Sequence, residues 1–126
     1  MFEVAVERTF AAAHQLRNYK GKCENLHGHN YKVRVTVEAA ALDDAGLVVD
    51  FVEMKRLMDG VIEQLDHTYL NEMPPFDRVN PSAENIAKHF FDELDRGLKQ
   101  ARLQNAPRIA AVKIWETETS TATYRP

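Results

Sequence analysis

Residues 31–39, YKVRVTVEA, alternate strictly: Tyr31, Val33, Val35 and Val37 fall on one face, with Lys32, Arg34 and Thr36 between them. Successive side chains of a strand point to opposite sides, so the pattern predicts a strand with one buried and one polar face. Such a strand is not stable alone. It needs neighbours to take up its backbone hydrogen bonds and a second layer to cover its apolar side. Residues 2–12 alternate at Phe2, Val4 and Val6 and supply a candidate neighbour. The turn cluster DDAG at 43–46 precedes LVVDF, which reads as a short strand, so residues 31–51 predict a hairpin with a longer loop.

The covering layer is helical. Asp50 and Glu53 have the spacing of a capping box, and Met54, Leu57, Met58, Val61, Ile62 and Leu65 then recur at helical intervals, predicting a helix over 51–65. Pro74, Pro75 and Pro81 mark a loop that ends at Ser82, a candidate N-cap with Glu84 in the following turn. A second helix follows, with Ile86, Phe90, Leu94 and Leu98 on one stripe. The segment IAAVKIWETETSTATYR is rich in β-branched and aromatic residues and predicts one or two terminal strands. This order implies an α+β fold, with both helices packed on one face of an antiparallel sheet. No internal repeat, low-complexity tract or linker divides the 126 residues, so 1–126 reads as one domain.

Composition excludes several partners. A net charge of −3 provides no global basic field of the kind that binds nucleic acid. No apolar run approaches the ~20 residues that span a bilayer, so no membrane partner is implied. MFEVAVERTF has no basic stretch, apolar stretch or small-residue cleavage site, which makes the cytoplasm the expected compartment.

The chemistry-bearing residues concentrate in CENLHGHNY. In extended backbone His27 and His29 point to the same side with Cα atoms ~7 Å apart, close enough for both imidazoles to reach one ion. His14, at the end of the first strand pattern, becomes a third ligand if the two strands pair. Three histidines on zinc leave a fourth position for water or substrate. The competing reading is a set of solvated loop histidines, since an HxH motif alone is weak. His89, beside Phe90 on the second helix, reads as a helix-surface or core-edge histidine and not a ligand. Cys23, the single cysteine, stays open among a fourth ligand, a reactive thiol beside the metal and a buried inert residue.

Asp66 and His67 follow the first helix; the carboxylate can fix the imidazole's tautomer, but a histidine near a helix C-terminus also has a dipole rationale. Glu116 lies in a strand whose neighbours Val112, Ile114 and Trp115 read as buried. A carboxylate there requires a buried cation or a ligand that donates hydrogen bonds.

The motifs FAAAH, CENLHGHNY, GLVVDF, LDHTYLN, NPSAEN and WETETSTATY occur in that order over nearly the whole chain. In this the sequence resembles the 6-pyruvoyltetrahydropterin synthase and 6-carboxytetrahydropterin synthase family. The resemblance implies the tunnelling fold: a four-stranded antiparallel sheet with two helices on one face, trimers whose sheets close into a barrel, commonly paired into hexamers, and active sites at subunit interfaces. It implies Zn2+ on His14, His27 and His29, with Cys23 as a catalytic thiol and not a fourth ligand. Asp66 and His67 become an acid/base relay presented from a neighbouring subunit. Glu116 becomes the carboxylate that anchors the guanidine-like edge of the pterin, beside Ser82, Ala83 and Phe51 in the substrate pocket.

The implied substrate is 7,8-dihydroneopterin triphosphate. Lys20, Lys22, Lys32 and Arg17 are candidates to neutralise the triphosphate, although a solvated basic face predicts the same residues. The Cys-x3-His-x-His spacing resembles the carboxy-forming branch, which implies release of acetaldehyde and triphosphate. The alternatives are the pyruvoyl-forming branch and, in another class, a non-catalytic zinc- or pterin-binding subunit in which Cys23 closes the metal site. A zinc hydrolase of another fold has no HExxH motif to support it.

Overall fold

A computed structural model describes residues 1–17 and 25–126. Strands β1 (Phe2–His14) and β2 (His27–Ala39) pair antiparallel along their whole length, from Phe2 opposite Ala39 to His14 opposite His27. Helix α1 (Phe51–Leu65), the two-residue strand β3 (Thr68–Tyr69), helix α2 (Ala83–Gln100), β4 (Arg108–Thr117) and β5 (Ser120–Tyr124) follow. The sheet order is β3-β1-β2-β4-β5. Its four longer strands are antiparallel, as expected; the fifth, β3, is an addition that runs parallel to β1 at Ala12 and Ala13.

Period two sorts the side chains of this sheet. Phe10 and Val6 of β1, Tyr31, Val33, Val35 and Val37 of β2, and Val112 and Ile114 of β4 are buried on one face. Both helices cover it, α1 over β1 and α2 over β4 and β5. The other face carries Trp115 with Lys32, Arg34 and Lys113 set 4.2, 4.9 and 4.7 Å from its ring centroid. Trp115 is therefore outside the core, contrary to the expectation from its apolar neighbours.

The helices begin where their caps dictate. Asp50 accepts a 2.9 Å hydrogen bond from the Val52 amide, while Glu53 pairs with Arg56, so only half of the anticipated capping box forms. Ser82 accepts from the Asn85 amide, and Ile86, Phe90, Leu94 and Leu98 are buried as their spacing predicts. Where the helices meet, a Cβ on Gly97 would lie 3.0 Å from Leu57 Cδ2, so the glycine permits the close approach.

The hairpin expected over 31–51 does not form. Residues 47–50 take no strand conformation, and β2 instead lies between β1 and β4. Val48 and Val49 are buried, but the backbone finds another partner: Asn105 Nδ2 donates to the carbonyls of Val48 at 2.9 Å and Ala41 at 3.2 Å. A side-chain amide thus replaces a strand ladder.

His89 packs edge-on against Phe76, with ring centroids 5.3 Å apart, and its Nε2 is buried without a hydrogen-bond partner among the described residues. Burial pushes its pKa below the usual histidine value, opposed by Glu93 and Asp92. The unfolded chain therefore takes up a proton before the folded one as pH falls. Stability is expected to drop as pH descends through about 6.5, the unperturbed histidine value. In chemical denaturation between pH 7.5 and 5.5, His89→Leu should show a shallower loss than the parent; equal slopes would refute the assignment.

Candidate metal centre

The pairing of β1 with β2 sets His14 directly opposite His27, and the strand period returns His29 to the same face two residues on. His14 is 1% exposed. Its Nε2 lies 2.9 Å from His27 Nε2, and Glu116 Oε1 lies 3.1 Å from His14 Nε2, 3.0 Å from His29 Nε2 and 3.8 Å from His27 Nε2. These four donor atoms are all within 4.8 Å of one another, a group that could hold a metal ion. A tetrahedral zinc with bonds of about 2.0–2.1 Å sets its donors ~3.3 Å apart, and the observed separations bracket that edge length.

The opposite nitrogens decide the tautomers. His14 Nδ1 lies 2.7 Å from the Pro81 carbonyl oxygen, and His27 Nδ1 lies 2.7 Å from that of Asn25. A carbonyl only accepts, so each Nδ1 carries the proton and donates it. In the neutral rings each Nε2 then presents a lone pair, and two lone pairs at 2.9 Å repel unless a cation lies between them. The donor set therefore fits a cation, with the carbonyls as the outer partners that orient metal-binding imidazoles. Burial pushes the His29 pKa down; Glu116 opposes this and His14 and His27 add to it, so the neutral, ligating ring is favoured. His29 Nε2, though near Glu116, has no hydrogen bond in acceptable geometry.

Glu116 reaches the group through an irregularity in the sheet. Trp115 pairs with Thr121 and Thr117 with Ser120, so Glu116 is the extra residue of a bulge on β4. Bulges re-aim side chains in this way. The sequence marked Glu116 as needing a partner, but nothing in it showed that the histidines lie beside it. Pairing β2 with β4 would have given that, because Lys32 opposite Trp115 puts Glu116 next to the row of His29 and Tyr31.

The loop behind His14 is tied to the end of β1. Asn80 and the backbone of Arg17 exchange two 2.8 Å hydrogen bonds, and Asn71 does the same with Gln15 at 2.8 and 2.7 Å. The Arg17 guanidinium donates to the carbonyls of Phe76 and Asn71. It serves as a clamp on the loop. Lys32 lies over Trp115 on the face away from its own chain's histidines. Lys20, Lys22 and Cys23 are outside the described residues.

Asp66 and His67 form a separate unit. Asp66 Oδ1 accepts from the Ala11 amide at 2.8 Å, and the His67 amide donates to the Ala11 carbonyl at 2.6 Å. Asp66 Oδ2 is 3.6 Å from His67 Nε2, and His67 has a φ of 57° with its side chain 81% exposed. That left-handed backbone is uncommon for a non-glycine residue. His67 borders a depression of about 510 Å³ lined in part by Ala11, Ala13, Gly28, His29 and Asn30. His67 is not one of the four residues whose donor atoms converge.

Ser82 and Ala83 follow the Pro81 carbonyl that holds His14, with the Ser82 hydroxyl engaged as a cap. Phe51 opens α1, half exposed, and is not part of the group.

A sequence profile of the family described as 6-pyruvoyl tetrahydropterin synthase matches residues 3–126. The chain belongs to the 6-pyruvoyl tetrahydropterin synthase family. The sequence is 38% identical over 130 residues to the 6-carboxy-5,6,7,8-tetrahydropterin synthase of Bacillus subtilis, an overlap of 99% of this chain and 86% of the relative. It is 34% identical over 137 residues to the human 6-pyruvoyl tetrahydrobiopterin synthase, covering 98% and 90%. The solved Caenorhabditis elegans 6-pyruvoyl tetrahydropterin synthase superposes with a TM-score of 0.81 at 30% identity, over 100% of this chain and 97% of that one. The α+β tunnelling fold implied by the sequence motifs is thus the fold of this member of the 6-pyruvoyl tetrahydropterin synthase family. Among the described residues no helix is long and apolar enough to cross a membrane.

If the histidines hold zinc, adding it to metal-stripped protein at a hundredfold excess over its dissociation constant should raise the unfolding free energy by about 2.7 kcal/mol. His29→Ala should lose most of that gain in a calorimetric or denaturant titration. An undiminished gain would place the metal elsewhere.

Proposed function

We propose that this protein is a 6-carboxy-5,6,7,8-tetrahydropterin synthase, a zinc-dependent carbon-carbon lyase acting on 7,8-dihydroneopterin triphosphate in the cytoplasm. The observation that carries the reading is the convergence of His14, His27 and His29 Nε2, with the tautomers of His14 and His27 fixed by backbone carbonyls, in a chain of this family. Bound zinc supplies Lewis acidity toward the oxygens of the substrate side chain, which makes neighbouring carbon-bound protons easier to remove.

The remaining roles belong to the chain. His14, His27 and His29 hold the ion. Cys23 and the Asp66/His67 pair move the protons; Asp66 Oδ2 is the atom that faces the imidazole of His67. Glu116 pairs with the guanidine-like edge of the pterin as a carboxylate accepting two N–H donors. Ser82, Ala83 and Phe51 shape the pocket wall. Elimination of triphosphate and cleavage of the side chain between its first and second carbons, with one water consumed to supply the second carboxylate oxygen and the ring reduced internally from dihydro to tetrahydro, then leave a carboxylate on the ring and release acetaldehyde. The exposure of His67, outside its own chain's converging donors, supports a site shared between subunits of a homo-oligomer.

The pyruvoyl-forming reaction is the second reading, favoured by the human relative, whose identity and coverage are close to those of the bacterial one. Incubation with dihydroneopterin triphosphate and mass spectrometry separates the two. Acetaldehyde and the 6-carboxy product are expected; a 6-pyruvoyl product would move the protein to the sister activity, and neither product would sink both. Cys23→Ala and His67→Ala should each reduce turnover by ~10²–10⁴-fold, the usual contribution of a positioned acid or base. Mixed oligomers of the two inactive variants should regain part of the activity if the site is shared, whereas a site within one chain predicts none.

A further inference from the structure

Lys32, Arg34, Lys113 and Trp115 take no part in the histidine cluster, and they form a square on the open face of the sheet. On the paired strands β2 and β4, Lys32 stands opposite Trp115 and Arg34 opposite Lys113. The flanking strands extend the same two rows with Thr9 and Glu7 from β1 and Thr121 and Thr123 from β5. All three cations lie within 4.9 Å of the Trp115 ring centroid, and all four residues are half-buried. Like charges directly opposite each other on paired strands destabilise a sheet. Glu7 offsets one of them, accepting from Arg34 Nε at 2.6 Å. Lys32 and Lys113 form no ion pair among the described residues. Two positive charges thus stand uncompensated, in a chain whose net charge is −3. Both helices pack on the other face, which leaves this one without a covering layer among the described residues.

We propose that this square binds a free polyphosphate anion, of the class of inorganic triphosphate, at a site separate from the histidine cluster. Residues two apart on a strand are ~7 Å apart and neighbouring strands ~4.8 Å, so the cations are spread over several ångström. A chain of phosphates spreads its charge over a similar length and meets all three together; a single phosphate does not. The Trp115 ring is already engaged by the cations, so the square offers charge and not a bare stacking face, which selects a free polyphosphate over a nucleotide. The threonine hydroxyls at the ends of the rows add further donors. The proposal does not rest on the pterin reading, since the ligand is the bare anion.

Trp115 is the only tryptophan, so the fluorescence of the full-length protein reports on the square itself. Titration with inorganic triphosphate is expected to change this emission, with an affinity at least about tenfold above that of inorganic phosphate, and ATP should bind no more tightly than triphosphate. Lys32→Met and Lys113→Met should each weaken triphosphate about tenfold in calorimetry, as the loss of one charge-assisted hydrogen bond predicts. Lys113→Arg keeps the charge and should retain binding, and His29→Ala should bind triphosphate as the parent does. Equal binding of phosphate and triphosphate by the parent overturns the proposal without any variant, so a folding defect in a lysine variant does not obscure it. A preference for ATP overturns the choice of a free anion, and undiminished binding in both methionine variants overturns the square. Loss of binding in His29→Ala places the anion at the histidines and overturns the separate site.

Discussion

The pairing of β1 with β2 is the constraint on which both core and site depend. One register places Phe10 against Tyr31, with ring centroids 5.0 Å apart, and also His14 opposite His27. Because side chains alternate with period two, a slip of one residue on β2 would turn Tyr31, Val33, Val35 and Val37 outward and carry His27 and His29 with them. The burial of the valines therefore specifies the geometry of the histidine cluster. The histidines are the last rows of a core face whose apolar part already fixes their positions.

Much of this was legible in the sequence because it is local or periodic. The bounds of α1 followed from Asp50 and the apolar stripe, and the start of α2 from Ser82. His27 and His29 are spaced by strand geometry alone, and His14 needed only the pairing of two obvious strands. What escaped was tertiary. LVVDF has the composition of a strand, but its carbonyls are satisfied by Asn105, more than fifty residues away. Strand β3 has two residues and exists because the Ala11 backbone is met by Asp66 and His67. The position of Glu116 among the histidines depends on a bulge, which no periodicity announces.

Beneath the cluster, Tyr31 is fully buried and its hydroxyl has no partner among the described residues. Burial, reinforced by the charge of Glu116, raises its pKa far above the ordinary tyrosine value, so the phenol stays protonated and is no candidate base. Its ring meets those of His14 and His29 edge-on at 5.8 and 5.6 Å. Tyr31 thus joins the dry core to the polar end of the face.

The tautomer of His14 and the start of α2 are one structural decision. The first intrahelical acceptor of α2 is the Ser82 carbonyl, which receives the Ile86 amide at 2.9 Å. The carbonyl one residue earlier, on Pro81, is not needed by the helix and is free to accept from His14 Nδ1. Moving the cap by one residue would take that carbonyl into the helix and release His14 to the other tautomer, with a proton on the nitrogen that faces His27 and Glu116. The brackets formed by Asn71, Asn80 and Arg17 hold the loop so that this does not happen. The motif NPSAEN is accordingly tied to the histidine cluster through its backbone.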